Sequence, residues 1–172
     1  MPFHGFPSLA RRANKNVSNH PARSIAESTE GFHRGQELYV QQASRLHEPG
    51  YREFIAKHGL IVVEGFNDVI GLDNLDVPSL GILSNRITDQ QVEKIARWAK
   101  QLASGKVTLM FDNDAAGVEG MKDALWQLTL RGLLVRVAWT PESHEGAFAG
   151  RQPESLETRE LSSLTAGNKV AH

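Results

Sequence analysis

Two aspartates stand two residues apart in the run Phe111-Asp112-Asn113-Asp114-Ala115-Ala116-Gly117. On an extended chain alternate residues face the same way, so both carboxylates project together where an apolar run gives way to a turn. A third acid, Glu64, closes the apolar run Leu60-Ile61-Val62-Val63, and Asp68 lies four residues beyond it. With a helix starting near Asn67, Asp68 falls on the side of Glu64. Four carboxylates gathered in one place repel one another unless a cation lies between them, and all-oxygen donors favour magnesium or manganese. Cation chemistry of that kind acts on phosphate. Gly65 and Gly117 stand at the same two turns, where a missing side chain lets a phosphate approach the backbone and a helix N-terminus.

Plainer roles exist for each acid. Asp114 can cap the helix that follows it, and Asn67 or Asp68 can cap the earlier one. A cap needs one acid, whereas here an aspartate pair and a glutamate stand at separate strand ends. An EF-hand calcium loop fits Asp112, Asp114 and Gly117, but its fifth position would be Ala116 and its twelfth Asp123 in place of glutamate. The seven histidines are scattered without a zinc pattern, and no Gly-x-x-x-x-Gly-Lys loop is present. Trp98, Trp126 and Trp139 lie on helix or strand segments and read as packed or partly buried side chains.

The elements that must carry these acids alternate in type. Leu60–Val63, 77–83, 107–111 and 133–139 read as strands, the first too short and too β-branched for a helix. Between them, 67–75, 88–104 and 115–131 read as helices. The second carries Val92, Ile95, Ala96, Ala99 and Leu102 on one stripe, and the third Val118, Met121, Leu125 and Leu128. Strands joined through helices of this length imply right-handed crossovers and a parallel sheet, and ligands of such sheets sit beyond the carboxyl ends of the strands. The acids leave those ends. Upstream, Leu38–Leu46 and 51–57 read as short helices, and from Pro141 onward the chain turns polar with no clear period.

With 40% hydrophobic and 23% charged residues, the 172-residue chain reads as one globular domain with loose ends. A formal charge of −1 gives no global attraction to nucleic acid, so any such binding is local. Residues 1–30 form a basic arm with no acid before Glu27. The absence of cysteine excludes disulfides, thiol nucleophiles and cysteine-based metal centres. No apolar run reaches the ~18 residues of a membrane span and no secretory block opens the chain, so a cytoplasmic protein with no membrane partner is expected.

Val63-Glu64-Gly65-Phe66-Asn67-Asp68-Val69, followed about forty residues later by Phe111 to Gly117, resembles the Toprim domain in its bacterial DnaG-type primase form. Ser28 to Tyr39 is similar to the segment that precedes Toprim in those primases, so the likeness covers roughly 23–156. It implies an α/β, Rossmann-like fold of roughly four parallel strands with helices on both faces. It divides the chain into the arm, a primase-like segment at 31–58, Toprim proper at 59–140, and a polar tail at 141–172 holding a partial Toprim extension. It implies that Glu64, Asp112 and Asp114 are the catalytic and metal-site acids with Asp68 in support, and that Arg34 and Arg23 face phosphate or nucleic acid. The implied activity is magnesium- or manganese-dependent nucleotidyl transfer on nucleic acid from nucleoside triphosphates. A Toprim nuclease and a non-catalytic nucleic-acid- or replisome-binding remnant are the alternatives. Departures accompany the likeness. The family's next acidic pair is matched only by Gln152-Pro153-Glu154, which puts a second metal in doubt, and Ser84 replaces a usual glycine. A zinc module, polymerase-core portion and helicase-contacting region have no counterpart, so primer synthesis is expected to need a partner that supplies them.

Overall fold

The computed structural model describes residue 33, residues 35–40 and residues 43–165. The basic arm expected over 1–30 lies outside the described residues. Helix α1 (Pro49–His58) leads into strand β1 (Leu60–Val63), then α2 (Phe66–Asp73), β2 (Ser79–Gly81), α3 (Asp89–Leu102), β3 (Lys106–Leu109), α4 (Ala115–Leu130) and β4 (Leu134–Val137). Helix α5 (Thr158–Thr165) closes the described chain after two short 3-10 turns, Ser143–Gly146 and Pro153–Ser155. All strand pairs are parallel and the order is β2-β1-β3-β4. This is the doubly wound α/β sheet expected from the sequence.

Alternation along the buried strands sends side chains to two cores. Leu60 and Val62 join Ile55, Val92, Ile95, Met121 and Leu128 on the face covered by α1, α3 and α4. Ile61 and Val63 join Val69, Leu72, Trp139, Leu161 and Leu164 on the other. Both faces of β1 are therefore dry, which is why its four residues are all apolar and β-branched or leucine. Helix α3 begins at a full capping box, with Thr88 accepting the Gln91 N–H at 3.3 Å and Gln91 Oε1 accepting the Thr88 N–H at 3.2 Å.

Two segments differ from their sequence reading. The described residues of Leu38–Leu46 do not form the helix read there. Tyr39 exchanges two backbone hydrogen bonds with Gly81, at 2.8 and 2.9 Å, and covers the open edge of β2, while only Ala43–His47 coils into a 3-10 turn. Unpaired edge groups outweigh weak local helix propensity there. Residues 141–165 also pack onto the sheet, because Phe148, Leu156, Leu161 and Leu164 are buried against the second core. Their spacing follows no single period until α5, so the pattern was silent.

Candidate active site at the carboxyl edge of the sheet

Parallel strands bring their carboxyl ends to one edge, and β1 and β3 are neighbours there. Glu64 leaves β1 and Asp112 follows β3. The Glu64 carboxylate Oε1 accepts the Asp112 N–H at 3.1 Å. A cleft of about 380 Å³ opens at this point, lined by Glu64, Asp68, Asp112 and Glu154 together with Ser84, Asn85 and Gln152. Among the described residues, four acids and no basic side chain line it. Leu83, also on its wall, takes φ 59°, a left-handed backbone that a branched aliphatic residue rarely adopts.

Like charge and burial raise the affinity of these carboxyls for protons. Glu64 is pushed up to about 7, chiefly by burial and then by the charge of Asp112, with a smaller push from Asp114; the Asp112 N–H opposes the shift. Asp112 is raised by burial, against which the Gln152 amide works, with the charges of Glu154 and Asp114 adding to the rise. Gln152 Nε2 donates to Asp112 Oδ2 at 3.2 Å. Asp68, only 4% exposed, is raised by burial and by a shared hydrogen bond with Glu154. A neutral carboxyl is what lets two acids hydrogen-bond each other.

The sequence-predicted residues take different positions. Glu64, Gly65, Asp68 and Asp112 line the cleft. Asp68 also caps α2, its Oδ2 accepting the Gly65 N–H at 2.7 Å. Asp114 caps α4, its Oδ1 accepting the Gly117 N–H at 2.9 Å, and its charge adds to the rise at Glu64 and Asp112. Gly117 is buried behind the acids, where a Cβ would stand 2.0 Å from the Asp112 carbonyl oxygen and 2.8 Å from Glu64 Oε1. Arg23 and Arg34 lie outside the described residues.

Glu154 was not among the predicted ligands, although Gln152-Pro153-Glu154 carried the signal. Two contacts deliver it. Gly71 on α2 has no side chain where Glu154 arrives, and a Cβ there would lie 2.7 Å from the Glu154 Cα. Asn113 fixes the approach, donating from Nδ2 to the Phe148 carbonyl at 2.7 Å and exchanging backbone bonds with Gly150 and Arg151. The residue between the two aspartates is thus a strut for the loop that carries the fourth acid.

The donor set suits a hard divalent cation, since every candidate atom is a carboxylate or amide oxygen. Among the described residues no three acids or histidines stand at common ligand spacing, with Asp68 and Asp114 committed to their caps. The acids are gathered along one cleft but not closed into a cage.

A consequence follows for the metal-free protein. A carboxyl raised from 4.5 to about 7 favours the folded state fully below the lower value and loses that contribution as pH rises through the higher one. Glu64→Gln removes the charge and keeps an oxygen for the Asp112 N–H. In excess chelator at pH 8 it should melt higher than wild type by roughly 3–6 °C, corresponding to about 1–2 kcal/mol once solvent screening of a partly exposed group is allowed for. At pH 4 the difference should vanish. Equal melting temperatures at both pH values would contradict the raised Glu64.

Residues 61–146 match the family model described as Toprim-like. An uncharacterized protein of Mycoplasma genitalium, MG010, is 33% identical over 90 residues, covering 51% of this chain and 39% of that protein. Among solved structures, the Aquifex aeolicus primase, comprising zinc-binding and RNA polymerase domains, superposes at a TM-score of 0.56 with 24% identity, over 78% of this chain and 30% of the primase. A DnaG catalytic core superposes at 0.55 with 21% identity, over 80% of this chain and 41% of that one. A DnaG primase catalytic domain bound to single-stranded DNA gives 0.55 and 21%, over 80% and 40%. At these identities the structures speak for the fold. The chain spans about two fifths of the curated relative and of the two DnaG cores.

Proposed function

Given that the chain belongs to the Toprim-like family, we propose that it is a primase-like domain for divalent-metal-dependent nucleotidyl transfer on nucleic acid, working with a polymerase-core or zinc-module portion supplied from elsewhere. One observation carries the reading: the cleft at the carboxyl edge of the parallel sheet is walled by Glu64, Asp68, Asp112 and Glu154, with no basic side chain among the described residues that line it. Structural need does not account for such a cluster, because mutual repulsion and burial make it costly for the folded chain.

Glu64 and Asp112, with Asp114 at the rim, would hold magnesium or manganese once the ion draws them closer than they stand without it, with Asp68 and Glu154 in support. The bound ion would supply charge neutralisation for a nucleoside triphosphate and alignment for in-line attack by a 3′ hydroxyl. The side chains do the rest. Gln152 steadies Asp112 through its amide, and the Asp112 N–H steadies Glu64. A Glu64 carboxylate left unbound by the ion would be placed to take a proton from an attacking hydroxyl. Asp114 keeps α4 in place and adds negative potential from the rim.

The test incubates the full chain with labelled single-stranded DNA, a primer–template and nucleoside triphosphates, with manganese or with chelator, alone and with a primase polymerase-core portion. Manganese-dependent extension of the primer supports the reading. Manganese-dependent shortening of the strand would replace it with a nuclease. Strand binding that is equal in manganese and chelator, with neither product, would leave a binding remnant.

A further inference from the structure

Of the three tryptophans, two are accounted for by packing. Trp139 is 2% exposed and donates Nε1–H to the Phe111 carbonyl at 2.6 Å, while Trp98 is partly buried against the first core. Trp126 is 66% exposed, contrary to the packed role its place on a helix suggested. It sits on α4 beside the apolar stripe rather than in it. No aromatic ring among the described residues stacks on it.

Its surroundings form a groove of about 520 Å³ that also takes in Asn85, Arg86, Ala116 and Lys122. Asn85 lines this groove and the carboxylate cleft alike, so the two depressions meet at one residue. The meeting point is fixed. Gly120 brings α4 against the 83–87 loop, where a Cβ would stand 2.1 Å from the Asn85 carbonyl oxygen. Trp126 follows about 1.7 turns further along α4, so its place on the helix is fixed relative to that loop.

The charges in the groove divide in an informative way. Its two acids are engaged, Glu119 by Lys122 at 2.6 Å and Asp123 by the Gln127 amide at 3.0 Å. Arg86 is exposed, and its guanidinium makes no hydrogen bond or ion pair with any described residue; only its backbone N–H is used, toward Ser84 Oγ at 3.2 Å. A groove with engaged acids and, among the described residues, an open indole face and one unpaired guanidinium suits a flat uncharged ring carrying a single phosphate beside it. Every nucleobase offers a π-face, and indole stacking tolerates all of them.

We propose that the Trp126 groove seats an unpaired nucleobase of the strand held at the carboxylate cleft, with Arg86 on the adjoining phosphate. The assignment rests on the nucleic-acid reading above and adds to it a strand path along α4. Stacking on an exposed aromatic supports association without sequence preference, and the single arginine adds one salt-sensitive contact.

The experiment titrates labelled oligothymidylate of about a dozen nucleotides into the full chain across a salt series, with sedimentation of each variant alongside. Trp126→Ala should weaken binding by about 5- to 100-fold at every salt concentration, and Trp126→Phe should retain most of the affinity. Arg86→Ala should weaken binding and reduce the slope of log affinity against log salt by about one. Because Trp126 and Arg86 are exposed, thermal melting should not change. Wild-type affinity in Trp126→Ala, with strand binding stronger in manganese than in chelator, overturns the groove and leaves the catalytic reading standing. Absence of strand binding by the unaltered chain overturns both. If Trp126→Ala instead converts a dimer to a monomer, the indole belongs to a protein interface and the groove assignment fails.

Discussion

Asp112→Asn is expected to lower metal-dependent nucleotidyl transfer by at least about a hundredfold while leaving the melting temperature of the metal-free protein unchanged or slightly higher. Asp112 is the acid on which the other contacts of the cleft converge: its N–H holds Glu64, its Oδ2 accepts the Gln152 amide, and its charge raises Glu64 and Asp68. Asparagine matches it in volume and keeps the backbone bond to Glu64. What it removes is one negative charge. The acids of the cleft resist ionisation because they are buried and, to a smaller degree, because they crowd one another, so removing a charge relieves the metal-free fold while a cation loses a ligand. Calorimetric titration with manganese should show affinity down by about ten- to a hundredfold. An unchanged affinity would remove Asp112 from the metal site, and the proposed chemistry would lose its anchor.

Stability and function pull in opposite directions across this cleft, which is how a binding site differs from a core. Replacement of a packed leucine costs stability and leaves chemistry alone. Replacement of Glu64 or Asp112 should do the reverse, and the two acids should show it at the pH where each would otherwise be charged.

The sheet and its acids were legible because their signals are local. Leu60–Val63 is an unbroken apolar run and 107–111 one interrupted only by Thr108, and Glu64 and Asp112 follow them directly, so strand ends could be placed without knowing what packs on them. The cap readings of Asp68 and Asp114 were legible for the same reason. Glu154 was not, because its place depends on Gly71 on another element and on Asn113 holding a loop, both long-range contacts with no spacing to read. The polar appearance of 141–165 hid four buried apolar residues for the same reason. Trp126 is a different case. Its packed reading is wrong, because Val118, Met121, Leu125 and Leu128 already fill the buried stripe of α4 and leave position 126 to the side of it.

Gly117→Ala is expected to destabilise the protein by about 2–4 kcal/mol and to lower its melting temperature by roughly 5–15 °C, against the gain of up to about 1 kcal/mol that alanine normally brings to a helix. The residue is the third of α4, and its Cα presses on the end of β3: a Cβ would lie 2.0 Å from the Asp112 carbonyl oxygen, 2.8 Å from its carbon and 2.8 Å from Glu64 Oε1. Two of those atoms are backbone and cannot swing aside. Relief requires α4 to lift from β3, which breaks the Asp114 cap on the Gly117 N–H and parts Glu64 from the Asp112 N–H. The substitution should therefore weaken manganese binding as well as stability, although it adds no charge and removes no ligand. Ala116, exposed one residue earlier on the same helix, supplies the comparison. Ala116→Gly should cost no more than about 1 kcal/mol by propensity alone and leave metal affinity intact. If Gly117→Ala melted at the wild-type temperature, the close approach of α4 to the acids would be wrong, and with it the geometry that sets Glu64 against Asp112.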